Sequence, residues 1–267
     1  MTYSPRHVLV TGGAGFIGSH IAEAYLELGD HVWVLDNLSS GRRSNIPQGA
    51  QFVELDIRDD SVVSLFREVH FDIVNHHAAQ IDVRTSVDDP AVDASINLEG
   101  LLNLTEAAIE VGTSRFVFVS SGGVIYGEPS IIPTSENVSK TPLSPYGVSK
   151  FSGELYLNYY RQVHGLECVA LRYSNVYGPR QDPNGEAGVV AIFSRKLLSE
   201  EPLLIFGDGE QTRDYVYIGD VVSANLLASE VEFQSGGQLD DHAFNVGTGI
   251  ATSVNELADI LELISGV

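Results

Sequence analysis

A short apolar run that leads directly into a glycine-rich loop constrains the fold of this 267-residue chain more than any other feature. Residues 8–10 are Val-Leu-Val, residues 12–18 are Gly-Gly-Ala-Gly-Phe-Ile-Gly, and helical periodicity extends over 17–28. The loop satisfies both Gly-x-Gly-x-x-Gly and Gly-x-x-Gly-x-x-Gly. Glycines at this spacing permit a tight turn and let backbone N–H groups approach a pyrophosphate at the helix N-terminus. The pattern predicts a dinucleotide site, with a purely structural turn as the alternative.

The rest of the first half alternates short apolar runs with longer helical patterns. Further strand-like runs lie at 32–35, 52–55, 73–74, 116–119 and 168–171. Helical patterns fall between them at 60–69, 90–111 and 145–164. Strands without polar alternation, separated by helices, indicate a parallel sheet that is covered on both faces. The predicted fold class is α/β, a Rossmann-like doubly wound parallel sheet.

The sequence pattern changes after residue 172, where Gly- and Pro-rich loops separate short predicted elements. We therefore predict that residues 1–172 form an NAD-binding Rossmann domain and that the chain returns to this domain at 218–246. Residues 173–217 and 247–267 are expected to form a smaller C-terminal substrate-binding lobe over the carboxyl edge of the sheet.

The charge balance is strongly acidic, since 36 acidic and 15 basic residues give a net charge of −21. Such a surface repels nucleic-acid backbones and anionic membranes, so we expect neither as a partner. No apolar run reaches the length of a membrane span, no signal peptide precedes the first strand, and there is one cysteine. A cytoplasmic enzyme is predicted. The acidic, lysine-poor composition also suggests a halophilic protein from a salt-rich cytoplasm.

An acidic residue closes the second strand-like run, where a Rossmann fold needs one. Asp36 at this position can accept hydrogen bonds from both adenosine ribose hydroxyls and repels a 2′-phosphate, which favours NAD over NADP. Arg42 and Arg43 follow closely and keep NADP open. The alternative role for Asp36 is to cap the strand. Asp56 and Ile57, after the third run, would flank the adenine.

A candidate proton-transfer group lies in the helical stretch 145–164. Tyr146 and Lys150 are four residues apart and therefore share a helix face. A cation beside a tyrosine stabilises the phenolate and brings its pKa toward the operating pH. Upstream, an apolar strand ends at Ser120 and Ser121, where a hydroxyl could share a substrate proton. A turn or a helix cap is the alternative role for these serines.

Taken in order along the chain, these motifs resemble the NAD-dependent epimerase/dehydratase family, extended short-chain dehydrogenases/reductases that act on nucleotide sugars. Supporting motifs cover the whole chain: Asp-Asn-Leu-Ser-Ser-Gly at 36–41, His-Ala-Ala-Gln at 77–80, Val-Ile-Tyr-Gly at 124–127, Leu-Arg-Tyr-Ser-Asn-Val-Tyr-Gly-Pro-Arg-Gln at 171–181, Phe-Gly-Asp-Gly at 206–209 and Arg-Asp-Tyr-Val at 213–216.

The resemblance implies 4-epimerisation of a nucleotide sugar, a UDP-hexose of the UDP-glucose/UDP-galactose type, through a transient 4-keto intermediate with NAD as a retained cofactor. It implies Tyr146 as the base, Lys150 as its electrostatic partner and Ser121 as a contact of the sugar O4. The implied cofactor contacts are Gly12, Gly15, Phe16, Ile17, Gly18, Asp36, Asn37, Ser39, Gly41, Asp56, Ile57, Ala78, Ala79, Gln80, Ser120, Tyr146, Lys150 and Tyr173. The implied substrate contacts are Ser121, Gly122, Tyr146, Asn175, Val190 and Arg213.

Several alternatives stay open at this point. Tyr173 could be a core aromatic residue, and Arg213 could pair with Asp214 or Asp208. Related activities are a UDP-N-acetylhexosamine 4-epimerase, a 4,6-dehydratase or a decarboxylase, and a non-catalytic NAD-binding protein is the remaining class. The glycines at 122–123 stand where dehydratases of the family carry an acidic pair and decarboxylases a glutamate, which argues against those two reactions.

Three further expectations concern metal binding, assembly and length. His76 and His77 lack ligand spacing, so we expect packing and no metal site. The resemblance implies a homodimer through helices near 90–111 and 145–164. Apolar positions in the second helix support it: Leu155, Leu157, Tyr159 and Tyr160. The family pattern continues beyond the helix near Ser253, whereas this chain stops at Val267, so the substrate lobe is expected to be truncated.

Overall fold

The computed structural model describes residues 4–184, 188–233 and 236–266. Positions 1–3, 185–187, 234–235 and 267, which belong to the two predicted domains, lie outside the described residues. The first half contains β1 (His7–Thr11), α1 (Phe16–Glu27), β2 (His31–Asp36), β3 (Gln51–Glu54), α2 (Ser61–Val69), β4 (Ile73–His76), α3 (Val83–Asp88), α4 (Pro90–Ala94), α5 (Gly100–Val111), β5 (Arg115–Ser121) and α6 (Gly122–Ile125). The second half contains α7 (Pro145–His164), β6 (Glu167–Tyr173), β7 (Asn175–Tyr177), α8 (Val189–Leu198), β8 (Thr212–Arg213), β9 (Tyr215–Tyr217), α9 (Ile218–Glu230), β10 (Ala243–Val246), β11 (Thr252–Ser253) and α10 (Val254–Ser265).

Seven strands form the main sheet in the order β10-β6-β5-β4-β1-β2-β3. Every neighbouring pair in this sheet is parallel. The chain runs outward from β1 to β3 on one side and from β4 to β6 on the other, so the winding reverses between β1 and β4. Ligands of open α/β sheets bind at the carboxyl edge beside such a reversal. The predicted doubly wound Rossmann-like fold is confirmed.

Helices cover both faces of the sheet, which explains why its strands read as unbroken apolar runs. Phe66 of α2, Leu101 of α5 and Leu157 of α7 pack into a fully buried cluster on one face. Ile21 of α1 and Val221 of α9 belong to the clusters that cover the other face. Burying each such side chain stabilises the fold by roughly 1.5–3 kcal/mol.

The predicted helical stretch over 90–111 is present and contains a local irregularity. A π-helical turn at Ser95–Glu99 joins α4 to α5. The π turn contains the buried Asn97, whose side chain bonds to the chain after β4 and to Asp93 of α4. Single π turns of this kind are frequent at functional sites.

The segments after β6 form small elements beside the main sheet. β7 pairs with β9 in parallel and β8 pairs with β11 antiparallel. α8 and α10 share an apolar cluster that includes Phe193 and Val254. Ser253 and Glu256 form a reciprocal capping box, which fixes the start of α10 where the sequence predicts it.

A loop at 178–184 lies against the helix that follows the glycine loop. Arg180 pairs with Glu23 of α1 at 2.6 Å. Arg42, which follows the β2 loop, pairs with Asp182. The segment that leaves β7 therefore contacts both α1 and the segment after β2.

Within the described part of the chain, the helices include none that combines the length and apolar character needed to cross a bilayer.

Candidate active site

The predicted cofactor residues gather at one edge of the sheet. All but two lie at the carboxyl ends of β1 to β6 or just beyond them, and Tyr146 and Lys150 are on α7: Gly12, Gly15, Phe16, Ile17, Gly18, Asp36, Asn37, Ser39, Gly41, Asp56, Ile57, Ala78, Ala79, Gln80, Ser120 and Tyr173. This edge is where a parallel α/β sheet binds its ligand.

The glycine loop is tight at Gly12, Gly13 and Gly18 and less crowded at Gly15. Gly12 has φ +66°, and a Cβ there would lie 2.6 Å from the Ala78 nitrogen. A Cβ on Gly18 would lie 2.3 Å from the Gly12 oxygen. Gly15 is the N-cap of α1 and contributes no side-chain cap, while its own Cβ would meet only the Gly12 oxygen, at 3.1 Å. The open side of the loop thus presents the start of a helix without a side chain, which fits a bound pyrophosphate.

Asp36 makes the local hydrogen bonds of the capping role considered for it. Its carboxylate accepts hydrogen bonds from the backbone nitrogens of Ala14, at 3.0 Å, and Leu38, at 2.8 Å. These bonds tie the end of β2 to the glycine loop. A carboxylate oxygen can accept more than one hydrogen bond, so Asp36 retains capacity for ribose hydroxyls.

The two arginines that kept NADP open are both engaged by acids. Arg42 pairs with Asp182 and Arg43 pairs with Glu54. A 2′-phosphate would have to compete with these carboxylates, so the pairing favours NAD.

The loops after β2 and β3 support one another. Asn37 donates to Asp56 at 3.0 Å and accepts from the Ser39 nitrogen at 3.0 Å. Arg58 donates twice to Asp56, at 2.9 Å each, and these hydrogen bonds hold the pKa of that carboxyl well below its usual range. Ile57 is buried in the main core.

The start of α7 is fixed against the end of β5. Pro145 occupies the first turn and the Ser144 hydroxyl accepts from the Gly147 nitrogen at 3.1 Å. A Cβ on Gly147 would lie 2.8 Å from the Val124 oxygen. The absence of a side chain at 147 therefore lets α7 approach α6, the helix that begins directly after Ser121.

Tyr146 and Lys150 share one face of α7, as their spacing predicts. The Lys150 Nζ lies 5.8 Å from the centre of the Tyr146 ring and donates to the Val119 oxygen at 2.9 Å. Burial lowers the pKa of Lys150 to about 8, and the charge of Asp93 opposes this shift. Lys150 is therefore mostly protonated at neutral pH, as a phenolate-stabilising cation must be.

The two serines at the end of β5 occupy different environments. Ser120 is buried, and its hydroxyl has no hydrogen-bond partner among the described residues. Ser121 is half-buried at the N-cap of α6 but makes no side-chain cap bond, and Gly122 is the first residue of that helix. The helix-cap role considered for Ser121 is thus not realised. An unpaired buried hydroxyl costs free energy, which a bound group at this edge would recover.

Histidines and Tyr173 form a buried polar layer below this edge. Thr11 Oγ1 and His76 Nδ1 are 2.7 Å apart, and His76 stacks on the core ring of Phe118. Burial lowers the pKa of His77 to about 3, so this side chain is neutral. Asn225 donates to the Tyr173 hydroxyl at 2.6 Å, so Tyr173 is a buried, hydrogen-bonded residue.

The predicted substrate residues of the second half lie on three small elements, β7, β8 and α8. Asn175 opens β7, and its nitrogen donates to the Asp214 oxygen at 2.9 Å. Arg213 is exposed on β8 and donates to the Thr212 oxygen at 2.7 Å. The Asp214 carboxylate accepts instead from residues 248–249. Among the described residues, the alternative ion pairs of Arg213 with Asp214 or Asp208 do not form. Val190 lies in the first turn of α8.

Three polar residues at this site belong to none of the motifs recognised in the sequence. Asp93, Asn97 and Ser149 are buried and linked by hydrogen bonds. A weak signal was available, since Asp93 and Asn97 are four residues apart within an otherwise apolar helical stripe. Within the ranges that the structure covers, no group of three or more His, Cys, Asp or Glu side chains is arranged for a metal.

Comparisons with known proteins agree on one family. Residues 8–247 match the model of the NAD dependent epimerase/dehydratase family. A UDP-glucose 4-epimerase of Mycolicibacterium smegmatis is 48% identical over 254 residues, 93% of this chain and 79% of that protein.

Two solved structures are similar as well. The UDP-glucose 4-epimerase of Thermotoga maritima, solved with UDP-glucose, has a TM-score of 0.92 and 48% identity, over 97% of this chain and 82% of that one. The UDP-glucose 4-epimerase of Thermus thermophilus, solved as a complex with NAD, has a TM-score of 0.89 and 46% identity, over 97% and 83%. These matches confirm the resemblance noted in the sequence, and the chain belongs to the NAD dependent epimerase/dehydratase family.

Proposed function

We propose that this chain is an NAD-dependent 4-epimerase of a nucleotide sugar, a UDP-glucose 4-epimerase. The observation that carries the proposal is the pair Tyr146 and Lys150 on one face of α7, held by the Val119 oxygen at the strand end that bears Ser121. This pair lies at the same sheet edge as the glycine loop. The names of the similar proteins support the same activity.

In the proposed reaction, Tyr146 removes the proton of the sugar 4-hydroxyl and later returns it. The Lys150 cation stabilises the phenolate, and the Ser121 hydroxyl hydrogen-bonds the sugar O4. The glycine loop and Asp36 would hold NAD, which when bound would supply a reversible hydride acceptor for the sugar C4. Water loss and net oxidation are both absent from this scheme.

We assign substrate binding to the segments 173–217 and 247–267, which the structure describes except for 185–187 and 267. Asn175 and Arg213 are the proposed contacts of the UDP diphosphate. A guanidinium can bind phosphate oxygens through two parallel hydrogen bonds. In a protein of charge −21, an exposed arginine at the site offsets the repulsion that a dianionic substrate meets.

The chemistry of α6 favours epimerisation over related reactions. This helix begins with Gly122 and Gly123, so the positions after Ser121 have no side chain that could exchange a proton. A 4,6-dehydratase or a decarboxylase needs such a group there, whereas a 4-epimerase needs only the base and the cofactor.

The proposal is tested by incubating the protein with UDP-glucose, UDP-galactose and their N-acetyl forms, and reading the C4 configuration by NMR. Epimerisation from either direction without net NADH is the expected outcome. NADH accumulation, loss of water or loss of CO₂ would indicate that the protein catalyses another reaction of the family. No conversion of any sugar by NAD-loaded protein would favour a non-catalytic NAD-binding protein.

We further propose a homodimer that buries the outer face of α7. Leu155 and Tyr159 are 49% and 47% exposed there, and Val163 of the same helix is 62% exposed, so α7 presents an apolar face to solvent. Leu157 and Tyr160, also expected at the interface, are instead core residues at 2% and 3%. The helical period places them on the opposite face of α7.

Leu155→Asp is expected to convert the dimer to a monomer, because a charge in an apolar interface is desolvated without a partner. Light scattering after size exclusion measures the mass. Leu204→Asp is the matched control, since Leu204 is 59% exposed and lies outside α7. Equal masses for the wild type and the Leu155→Asp variant would contradict the proposal.

We also propose a reducing, salt-rich cytoplasm as the setting. The lone Cys168 is a buried free thiol, which suits a reducing compartment. Two of the three lysines have little exposed surface: the Lys140 side chain is 6% exposed and Lys150 4%. The remaining surface is rich in acidic groups that repel one another.

The midpoint of thermal unfolding is expected to rise with KCl into the molar range. At about 1 M salt the screening length falls to roughly 3 Å, which relieves repulsion among exposed carboxylates. Sucrose, which stabilises without screening charge, is the control. A midpoint that is highest in dilute buffer, or that KCl and sucrose raise alike, would refute the halophilic assignment.

A further inference from the structure

A completely buried carboxylate lies beside the proposed proton-transfer pair. Asp93 of α4 has no exposed surface. It accepts hydrogen bonds from Gln80 Nε2 at 2.9 Å, Asn97 Nδ2 at 3.0 Å and Ser149 Oγ at 2.6 Å. Burying a charged carboxylate costs free energy unless its oxygens accept hydrogen bonds from nearby donors. Three side-chain donors on one carboxylate are the arrangement that satisfies this condition.

The three donors come from three separate parts of the chain. Gln80 follows β4, Asn97 is in the π turn and Ser149 is on α7, directly before Lys150. Asn97 also binds both backbone groups of Gln80: it accepts from the Gln80 nitrogen at 3.0 Å and donates to the Gln80 oxygen at 2.9 Å. One carboxylate therefore sets the position of the 78–80 segment relative to the helix that bears Tyr146.

The Asp93 carboxylate also contributes a negative charge that favours the protonated form of Lys150. Lys150 is 4% exposed, and the titratable groups that it faces are Tyr146 on its own helix, Asp93 on α4, and His76 and His77 at the end of β4. Burial holds the pKa of both histidines far below neutrality, so they carry no charge. Asp93 contributes the opposite charge that favours protonated Lys150.

We propose that Asp93 is a positioning residue of this site, which fixes segment 78–80 against α7 and serves as the buried counter-charge of Lys150. The inference rests on the proposed roles of Tyr146 and Lys150. It assigns Asp93 no contact with the substrate.

The decisive variant is Asp93→Asn, because it removes the charge and can keep the hydrogen bonds. The amide oxygen accepts from Gln80 and Asn97 as before, and the amide nitrogen donates to the Ser149 hydroxyl, which can accept as well as donate. The folded structure is thus expected to persist. Without the negative charge the protonated form of Lys150 is less favoured, and its pKa falls below the wild-type value of about 8.

The primary measurement is a pH titration of the lysine side-chain nitrogens by NMR in ¹⁵N-lysine-labelled protein. The sequence has three lysines, so Lys140→Arg and Lys196→Arg assign the Lys150 signal. We expect the Lys150 midpoint to fall by roughly one pH unit in Asp93→Asn. The alkaline limb of kcat/KM is expected to fall by the same amount, because the protonated lysine is lost at lower pH.

Ser149→Ala is the matched control, since it deletes one hydrogen bond and leaves the Asp93 charge in place. Its Lys150 midpoint is expected to stay at the wild-type value. A wild-type midpoint in Asp93→Asn would overturn the inference, and so would equal shifts in Asp93→Asn and Ser149→Ala. Because the NMR titration needs no turnover, wild-type protein that converts no sugar would refute the proposed function alone.

Discussion

Replacing Tyr146 by phenylalanine is expected to lower the turnover of UDP-glucose by roughly 10²–10⁴-fold, the usual contribution of a positioned proton-transfer group. The ring stays in place, 5.8 Å from the Lys150 Nζ in the wild type, but the oxygen that accepts the proton is gone. An NMR assay of the C4 configuration measures the rate. We expect the bound NAD content to change little, because the glycine loop and Asp36 are unaltered.

Tyr156→Phe is the matched control on the same helix, since Tyr156 is 42% exposed and faces away from the core. Its turnover should equal that of the wild type. If Tyr146→Phe also retained wild-type turnover, the base would have to be another group, or the observed activity would not belong to this site.

The largest stability effect is expected from Arg172→Met. The Arg172 side chain is completely buried, donates to Glu154 at 2.9 and 2.6 Å, and also reaches Asp240 at 2.8 Å. Burial lowers the pKa of Arg172, but the hydrogen bonds and charge of Glu154 outweigh it and raise that pKa above its usual value. Removing the guanidinium leaves Glu154 buried and unpaired, which should cost roughly 3–5 kcal/mol of the free energy of unfolding.

Urea denaturation measures this loss, and two further variants separate its causes. Arg172→Met combined with Glu154→Leu removes both charges and is expected to be more stable than Arg172→Met alone. Arg67→Met removes one side of the solvent-exposed pair with Glu110 and should change the free energy of unfolding far less than Arg172→Met does. Equal losses for the buried and the exposed arginine would contradict this account.

Local patterns were sufficient to predict the sheet, the glycine loop and the Tyr146–Lys150 face. Each depends on spacing within a single segment, such as the close approach at Gly12 or the four-residue step along α7. The polar network around Asp93 could not be predicted in the same way, because its donors come from three distant segments. An acid in a helical pattern is usually solvated, and only the tertiary contacts show that this one is buried.

The inner and outer faces of α7 also could not be distinguished from the sequence. Leu157 and Tyr160 have the apolar character of interface residues, but whether an apolar position meets the core or a partner depends on the orientation of the helix on the sheet. The structure places both in the core and leaves Leu155 and Tyr159 outside. The two serines at the end of β5 pose an equivalent problem, since adjacent strand residues point to opposite sides of the sheet.

The ion pairs of the loop at 178–184 have a consequence for the way salt acts on this part of the fold. Its contacts, Arg180 with Glu23 and Arg42 with Asp182, join it to α1 and to the segment after β2, on either side of the glycine loop. A motion that separates this loop from the first βαβ unit must break both ion pairs. Concentrated salt weakens exposed ion pairs, so it is expected to loosen this contact, the reverse of its expected effect on global stability.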